Sequence, residues 1–141
     1  KKFYSVLLDS KRKFKTTPTH SYGEMIKLLE LFPNSIKVFF TYFNDCFVGG
    51  TVLFKTSRNS ALLFYNIVMD KHKYKHVSTY QIYHCIEWCL NHQVSTFDLG
   101  VSHLPKNKDP LDPNVSLIKF KEQFGASVDV RKTYNKKYLS T

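Results

Sequence analysis

No run in this chain is apolar for long enough to cross a bilayer, and its start carries no signal-peptide pattern, so no membrane span is expected. Cysteine is scarce. Cys46, Cys85 and Cys89 make an odd count without a disulfide framework, the usage expected of a reducing cytoplasm. Cys85 and Cys89 stand one helical turn apart, which suits either a metal site with a histidine or two small residues packing a helix; the second reading is preferred, and no metal is expected. Acids are few: 11 against 21 lysines and arginines, a formal net charge of +10. That excess points to nucleic acid, coenzyme phosphates or an anionic substrate as partner, or to a solvated basic surface. There is no internal repeat, low-complexity stretch or linker, and no Ser-His-Asp pattern, metal box or Walker loop. The chain opens Lys1-Lys2 without a methionine, which fits a processed or excised piece.

Apolar residues are plentiful. A hydrophobic content of 43% with 16% aromatics is too rich for disorder, and 141 residues suffice for one domain, residues 1–141, with a real core. Residues 3–14 read as a helix with Phe3, Tyr4, Leu7, Leu8 and Phe14 on one side. Ser21-x-x-Glu24 is a capping-box pattern, and Met25, Leu28, Leu29 and Phe32 follow at helical spacing until Pro33-Asn34. Ile36 to Phe43 reads as a buried strand, Asn44-Asp45-Cys46 as a turn, and Phe47 to Lys55 as the hairpin partner. Gly49-Gly50 inside that strand implies a bulge or a close approach. Leu62 to Met69 is a third strand after a turn at residues 57–60.

A basic loop, Asp70 to His76, comes next. Ser78 or Thr79 then caps a helix reaching about Asn91, with Ile82, Tyr83, Ile86, Cys89 and Leu90 as its buried stripe. Thr96 to Leu99 is a short strand. After a polar loop, Asp112-Pro113 reads as a helix cap and first-turn pair. The helix that follows carries Phe120-Lys121-x-x-Phe124-Gly125 and stops at Gly125; Ser127 to Tyr138 reads as a last strand. At about 100° per residue, Leu117, Phe120 and Phe124 share one face of that helix, with Lys121 inside the arc and Lys119 opposite. An ammonium on a core-facing side must reach water, a partner or a ligand.

The order helix, helix, three antiparallel strands, helix, strand, helix, strand resembles the GNAT acyltransferase fold, joined after its usual first strand. The residues look most like its Fem-type (FemAB-like) branch, the peptidoglycan-bridge aminoacyltransferases and their acetyltransferase-like relatives. The matching pieces are Pro18-Thr19-His20-Ser21, Asn44-Asp45 with Val48-Gly49-Gly50, Phe97-Asp98-Leu99-Gly100-Val101-Ser102, and Phe120-Lys121-x-x-Phe124-Gly125. They span nearly the whole chain; each is short, and their order carries the resemblance. It implies an α/β fold with a mixed, mostly antiparallel sheet flanked by helices.

It also implies transfer of an acyl or aminoacyl group to an amine, from acyl-coenzyme A or aminoacyl-tRNA, without a covalent enzyme intermediate. The donor pyrophosphate would sit at the start of the helix after the third hairpin strand, on backbone N–H groups at a positive helix end. The usual Gln/Arg-x-x-Gly-x-Gly/Ala signature is absent there, and no glycine lies between Gly50 and Gly100. Lys71, Lys73 and Lys75, with the Ser78 and Thr79 amides, are the donor-binding candidates; a solvated charge run is the alternative. Asp70, Asp98 and Lys121 are the catalytic candidates, the aspartates to take a proton or hold water and Lys121 to polarise a carbonyl or hold a carboxylate. Asp70 and Asp98 equally suit loop-starting and loop-capping roles, and Lys121 equally suits snorkelling. Ser102 and Phe120 are the substrate-binding candidates. His84 with Glu87 reads as surface decoration. The alternative function is a catalytically silent half of a two-domain Fem-type protein, binding tRNA or supporting a second GNAT-like domain.

Overall fold

A computed structural model describes residues 1–103, 109, 112–130 and 136, with the side chains of residues 73–75 outside that description. The backbone groups into two compact units, Lys1–Val101 and Ser102–Thr141.

The first unit opens with helix α1 (Lys2–Lys13), which buries Phe3 and Leu7 and collects Lys11, Arg12 and Lys13 at its negative C-terminal end. Phe14, expected on the buried face, is the C-cap and is exposed, because Lys15 turns the chain away at positive φ. Helix α2 (Tyr22–Leu31) starts at the expected capping box: Ser21 Oγ accepts from the Glu24 N–H, and the Glu24 carboxylate accepts from the Ser21 N–H. The Ser21 N–H bond holds the Glu24 carboxyl below its usual pKa. Phe32, expected on the buried face, is 51% exposed beyond the last turn. Met25, Leu28 and Leu29 meet the sheet over a cavity of about 10 Å³.

Four strands form one sheet: β1 (Ile36–Phe43), β2 (Cys46–Lys55), β3 (Ser60–Val68) and β4 (Thr96–Asp98), in the order β1-β2-β3-β4. The first two pairings are antiparallel and the last is parallel, so the sheet is mixed and mostly antiparallel, as expected. Asn44 and Asp45 both take left-handed φ and join β1 to β2 in a two-residue turn. β1 is not the doubly buried strand that its composition suggests. It lies at the edge of the described sheet with Phe40, Tyr42 and Phe43 exposed, and β2 is the strand covered on both sides from Phe47 to Leu53.

Two bulges bend the sheet. Val48 is the extra residue where Tyr42 pairs with Phe47 and Thr41 with Gly49; Phe64 is the extra residue where Leu53 pairs with Leu63 and Val52 with Tyr65. The expected close approach at Gly49-Gly50 is present as well as a bulge. A Cβ on Gly49 would stand 2.2 Å from the Ile67 carbonyl oxygen, and one on Gly50 2.4 Å from that of Phe39 and 3.2 Å from the Phe3 ring.

Helix α3 (Val77–Asn91) crosses from β3 to β4. Its buried residues are Val77, Gln81, Ile82, Cys85 and Cys89. The expected stripe is therefore rotated: Tyr83 and Leu90 are 57% and 71% exposed, because Gln81 and Cys85 take the sheet-facing positions by bonding to strand groups. In the second unit, helix α4 (Val115–Glu122) is capped by Asn114, not by Asp112-Pro113: Asn114 Oδ1 accepts from the Leu117 N–H, while Pro113 bridges His103. Gly125, at φ +77°, closes the turn after α4. Of the expected last strand, residues 127–130 carry no strand, and residues 131–135 and 137–138 lie outside the described residues.

Gly50→Ala should lower stability by about 1–3 kcal/mol through overpacking, while Gly23→Ala, which meets nothing within 4 Å inside α2, should raise it by about 0.5–1 kcal/mol. Urea unfolding of the two variants checks the pair; equal effects would refute the close approach at Gly50.

Candidate functional site

β3 and β4 stay together only briefly. Ser60, Ala61 and Leu62 pair with Thr96, Phe97 and Asp98, after which β4 ends and β3 continues to Val68. The strands thus lie side by side and in parallel, and β3 runs on past its partner toward its C-terminal end. The Phe64 bulge sits just beyond the last pair. At the parting, Asp98 Oδ1 accepts a 2.7 Å hydrogen bond from the Gly100 N–H, and Gly100 turns at φ +76° beside the Leu63 carbonyl. The Asp98 carboxylate therefore caps its own turn. Beyond the parting, β3 offers backbone groups along an edge that no strand among the described residues occupies. Such an edge at a strand terminus is where open α/β sheets take ligands, and an extended amide-bearing molecule can pair with it as a strand would.

β3 leads directly to the start of α3. The segment read as a basic loop is a 3-10 helix, Asp70–Lys75. Asp70 begins it and forms an ion pair with Lys13 of α1, both side chains about half exposed. Lys71 is exposed; the side chains of Lys73 and Lys75 lie outside the described residues. Neither Ser78 nor Thr79 caps the helix. α3 begins earlier, with its N-cap at His76, two residues before Ser78, in the left-handed conformation that a glycine would enter without strain. The Tyr80 N–H bonds the His76 carbonyl, so the N–H groups of Val77, Ser78 and Thr79 form the open first turn, the positive end of the helix. The Ser78 hydroxyl is turned to the sheet, where it accepts from Asn66 Nδ2 at 2.9 Å.

The α3–sheet seam is polar. Gln81 Nε2 donates to Thr41 Oγ1 at 3.0 Å and to the Ile67 carbonyl at 3.2 Å. Cys85 Sγ donates to Thr51 Oγ1 at 3.4 Å. Burial pushes the Cys85 thiol up to about 11 and raises that of Cys89. Neither presents a ready thiolate, and no cluster of histidine, cysteine and acid side chains suited to a metal occurs among the described residues. Gln81 and Asn66 were not singled out by the sequence. The signal for Gln81 was an amide at the helical spacing of Ile82, Cys85 and Cys89. His84 and Glu87 are half exposed and 3.8 Å apart, and the His84 ring meets that of Phe39 in β1 edge-on at 5.3 Å.

In the second unit, Lys121 and Ser102 come together. Lys121 is half-buried, as are Leu117, Phe120 and Phe124, whereas Lys119 is exposed. Lys121 Nζ donates to Ser102 Oγ at 2.8 Å, and the Ser102 carbonyl accepts from the Asn114 N–H at the head of α4. The Phe120 ring meets that of Phe124 edge-on at 5.4 Å. The arrangement holds an ammonium at a fixed place beside a hydroxyl, the form that electrostatic stabilisation of a developing negative charge takes.

No protein-family model matches this chain, and no curated protein matches it. Solved structures do. AAC(6')-Iy, in complex with the bisubstrate analogue CoA-S-monomethyl-acetylneamine, is 14% identical over 86% of this chain and 84% of that chain, with a TM-score of 0.62. A ribosomal-protein-alanine N-acetyltransferase from Brucella melitensis biovar Abortus 2308 is 15% identical over 97% and 92%, at 0.62. An aminoglycoside acetyltransferase from an uncultured soil metagenomic sample, in complex with sisomicin, is 13% identical over 99% and 89%, at 0.64. At such identities the likeness establishes the fold: a mixed α/β GNAT fold, the sheet flanked by helices.

The thiols give a direct check on the seam. At pH 8 Cys46, which is exposed, should react with a thiol reagent, and Cys85 and Cys89 should stay protected until the protein unfolds. Prompt reaction of all three in native protein would contradict the packing of α3.

Proposed function

We propose that this chain is an N-acyltransferase that carries an acyl group from acyl-coenzyme A directly to an amine. The observation that carries the reading is that β3 runs on past its last pair with β4 and is tied, through Asn66 and Ser78, to the open first turn of α3. The free β3 edge suits the amide-bearing arm of the donor, and the Val77–Thr79 N–H groups suit its pyrophosphate. No glycine lines this turn, so the phosphates would meet backbone amides with Lys71, Lys73 and Lys75 as point charges beside them. The GNAT fold and a neighbour solved with a coenzyme A bisubstrate analogue support the choice of donor.

The chemistry needs few groups. The amine nitrogen adds to the acyl carbonyl, the resulting oxyanion collapses with expulsion of the thiolate, and the amine gives up its proton. Asp70, whose present partner is Lys13, and Asp98, at the strand parting, are the candidates for taking that proton or holding the water that does. Lys121, steadied by Ser102, is the candidate for stabilising the oxyanion or holding a substrate carboxylate, and Phe120 for substrate contact. A cytoplasmic setting fits the unpaired cysteines; no helix among the described residues is long and apolar enough to cross a membrane.

A second reading is favoured by the net charge of +10 and the missing glycine signature. In it the chain belongs to a Fem-type protein, using aminoacyl-tRNA or binding tRNA as a silent half beside a second GNAT-like domain. Calorimetry with acetyl-coenzyme A and with tRNA separates the two. Saturable acetyl-coenzyme A binding supports the first; tRNA binding with a steep salt dependence and no coenzyme binding supports the second.

Two sets of variants test the assignment. Replacing Lys71, Lys73 and Lys75 together by glutamine should weaken acetyl-coenzyme A binding and flatten its salt dependence; unchanged affinity would return these lysines to the solvated surface. Lys121→Met should lower kcat/KM at least about tenfold, equivalent to about 1.4 kcal/mol, and Lys119→Met should leave it intact. Full activity in both would remove Lys121 from the reaction.

A further inference from the structure

We propose that Gln81 is a positioning residue, which fixes the axial register and rotation of α3 and thereby the aim of the Val77–Thr79 amides. The proposal rests on the donor-binding reading above. Gln81 is 3% exposed, within the apolar stripe of α3. Both hydrogens of its amide are used, one on the Thr41 hydroxyl of β1 and one on the Ile67 carbonyl of β3. Its Oε1 is buried and has no hydrogen-bond partner among the described residues. A buried acceptor left unpaired is destabilising, and an apolar side chain of similar shape would fill the space without that loss. Stability therefore does not explain a glutamine here; direction does. Apolar burial is non-directional, whereas hydrogen bonds to two different strands are limited in both distance and angle.

The sheet is shaped to admit this side chain. Gly49 of β2 pairs with Thr41 beside the Val48 bulge, and a Cβ there would stand 2.8 Å from Gln81 Nε2 and 2.2 Å from the Ile67 carbonyl oxygen. Three strands thus converge on one amide: β1 and β3 by accepting from it and β2 by leaving it room. The Asn66–Ser78 bond repeats the tie one turn earlier, inside the open first turn itself. Gln81 lies one turn past Val77, so an error in its seating passes directly to the first-turn amides.

Calorimetry with acetyl-coenzyme A on the full chain tests this, because affinity and stoichiometry are read separately. Gln81→Met should raise Kd at least about tenfold with the stoichiometry unchanged, since the helix is intact but misaimed. Thr41→Val, which removes one of the two acceptors, should raise Kd by a smaller factor. Ile82→Val, an apolar change at the neighbouring buried position, should leave Kd within about twofold. A lowered stoichiometry at unchanged Kd in both polar variants would mean that Gln81 only stabilises the fold, and would overturn the proposal. Amide hydrogen exchange judges it independently of the donor. In Gln81→Met the Tyr80–Ile82 amides should exchange at least about tenfold faster while those of β2 keep their protection. If the unaltered protein binds no acetyl-coenzyme A, the acyl-transfer reading fails and exchange alone decides; unchanged exchange at Tyr80–Ile82 would then refute the positioning role.

Discussion

Two adjacent glycines in β2 set how closely the helices of the first unit approach its sheet. β2 is covered on both sides, and successive residues of a strand face opposite ways. Gly50 faces α1, where the Phe3 ring closes over it; Gly49 faces α3, where the Gln81 amide occupies the place of a side chain. Both also lie against neighbouring carbonyl groups, so the close approach is built into strand and helix together. Phe3 and Leu7 of α1 join Phe47, Val52, Tyr65 and Ile67 in the apolar core on one side. The other side is seated by hydrogen bonds as well as by contact. The two faces of one sheet thus hold their helices by different means.

The difference matters at the end of β3. The strand outruns β4, bulges at Phe64 and hands the chain through a 3-10 turn to a helix whose first amides are open. A strand edge that no described strand occupies and a positive helix end then follow one another in a single unit of the chain. The polar seam behind α3 ties the helix to β1, β2 and β3 by directional bonds. His76 takes the left-handed turn without being glycine.

Much of this was legible from the residues. The capping box at Ser21, the turn at Asn44-Asp45 and the Gly49-Gly50 approach are local chemistry, and local chemistry leaves a local pattern. The split between Lys119 and Lys121 followed from helical angle alone. The differences share a cause. Aromatic and β-branched residues fill β1 as they would a buried strand, but composition does not tell an edge from a centre. Hydrophobicity alone gives α3 a different stripe, and Gln81 faces inward because Thr41 and Ile67, distant in sequence, accept from it. The caps expected at Ser78 and Asp112 are displaced: α3 begins after a left-handed turn at His76 that gives no side-chain cap, and at α4 Asn114 Oδ1 takes the Leu117 N–H. Where a position depends on a partner far along the chain, the sequence carries no spacing that reveals it.

If the β3 edge and the first turn of α3 form the donor site, an amide-resolved NMR titration with coenzyme A will show saturable shifts concentrated at residues 64–68 and 77–80, with the β1 edge and the outer side of α2 unmoved. Saturable shifts elsewhere with these segments silent, or no saturable shift at any amide, would contradict that assignment.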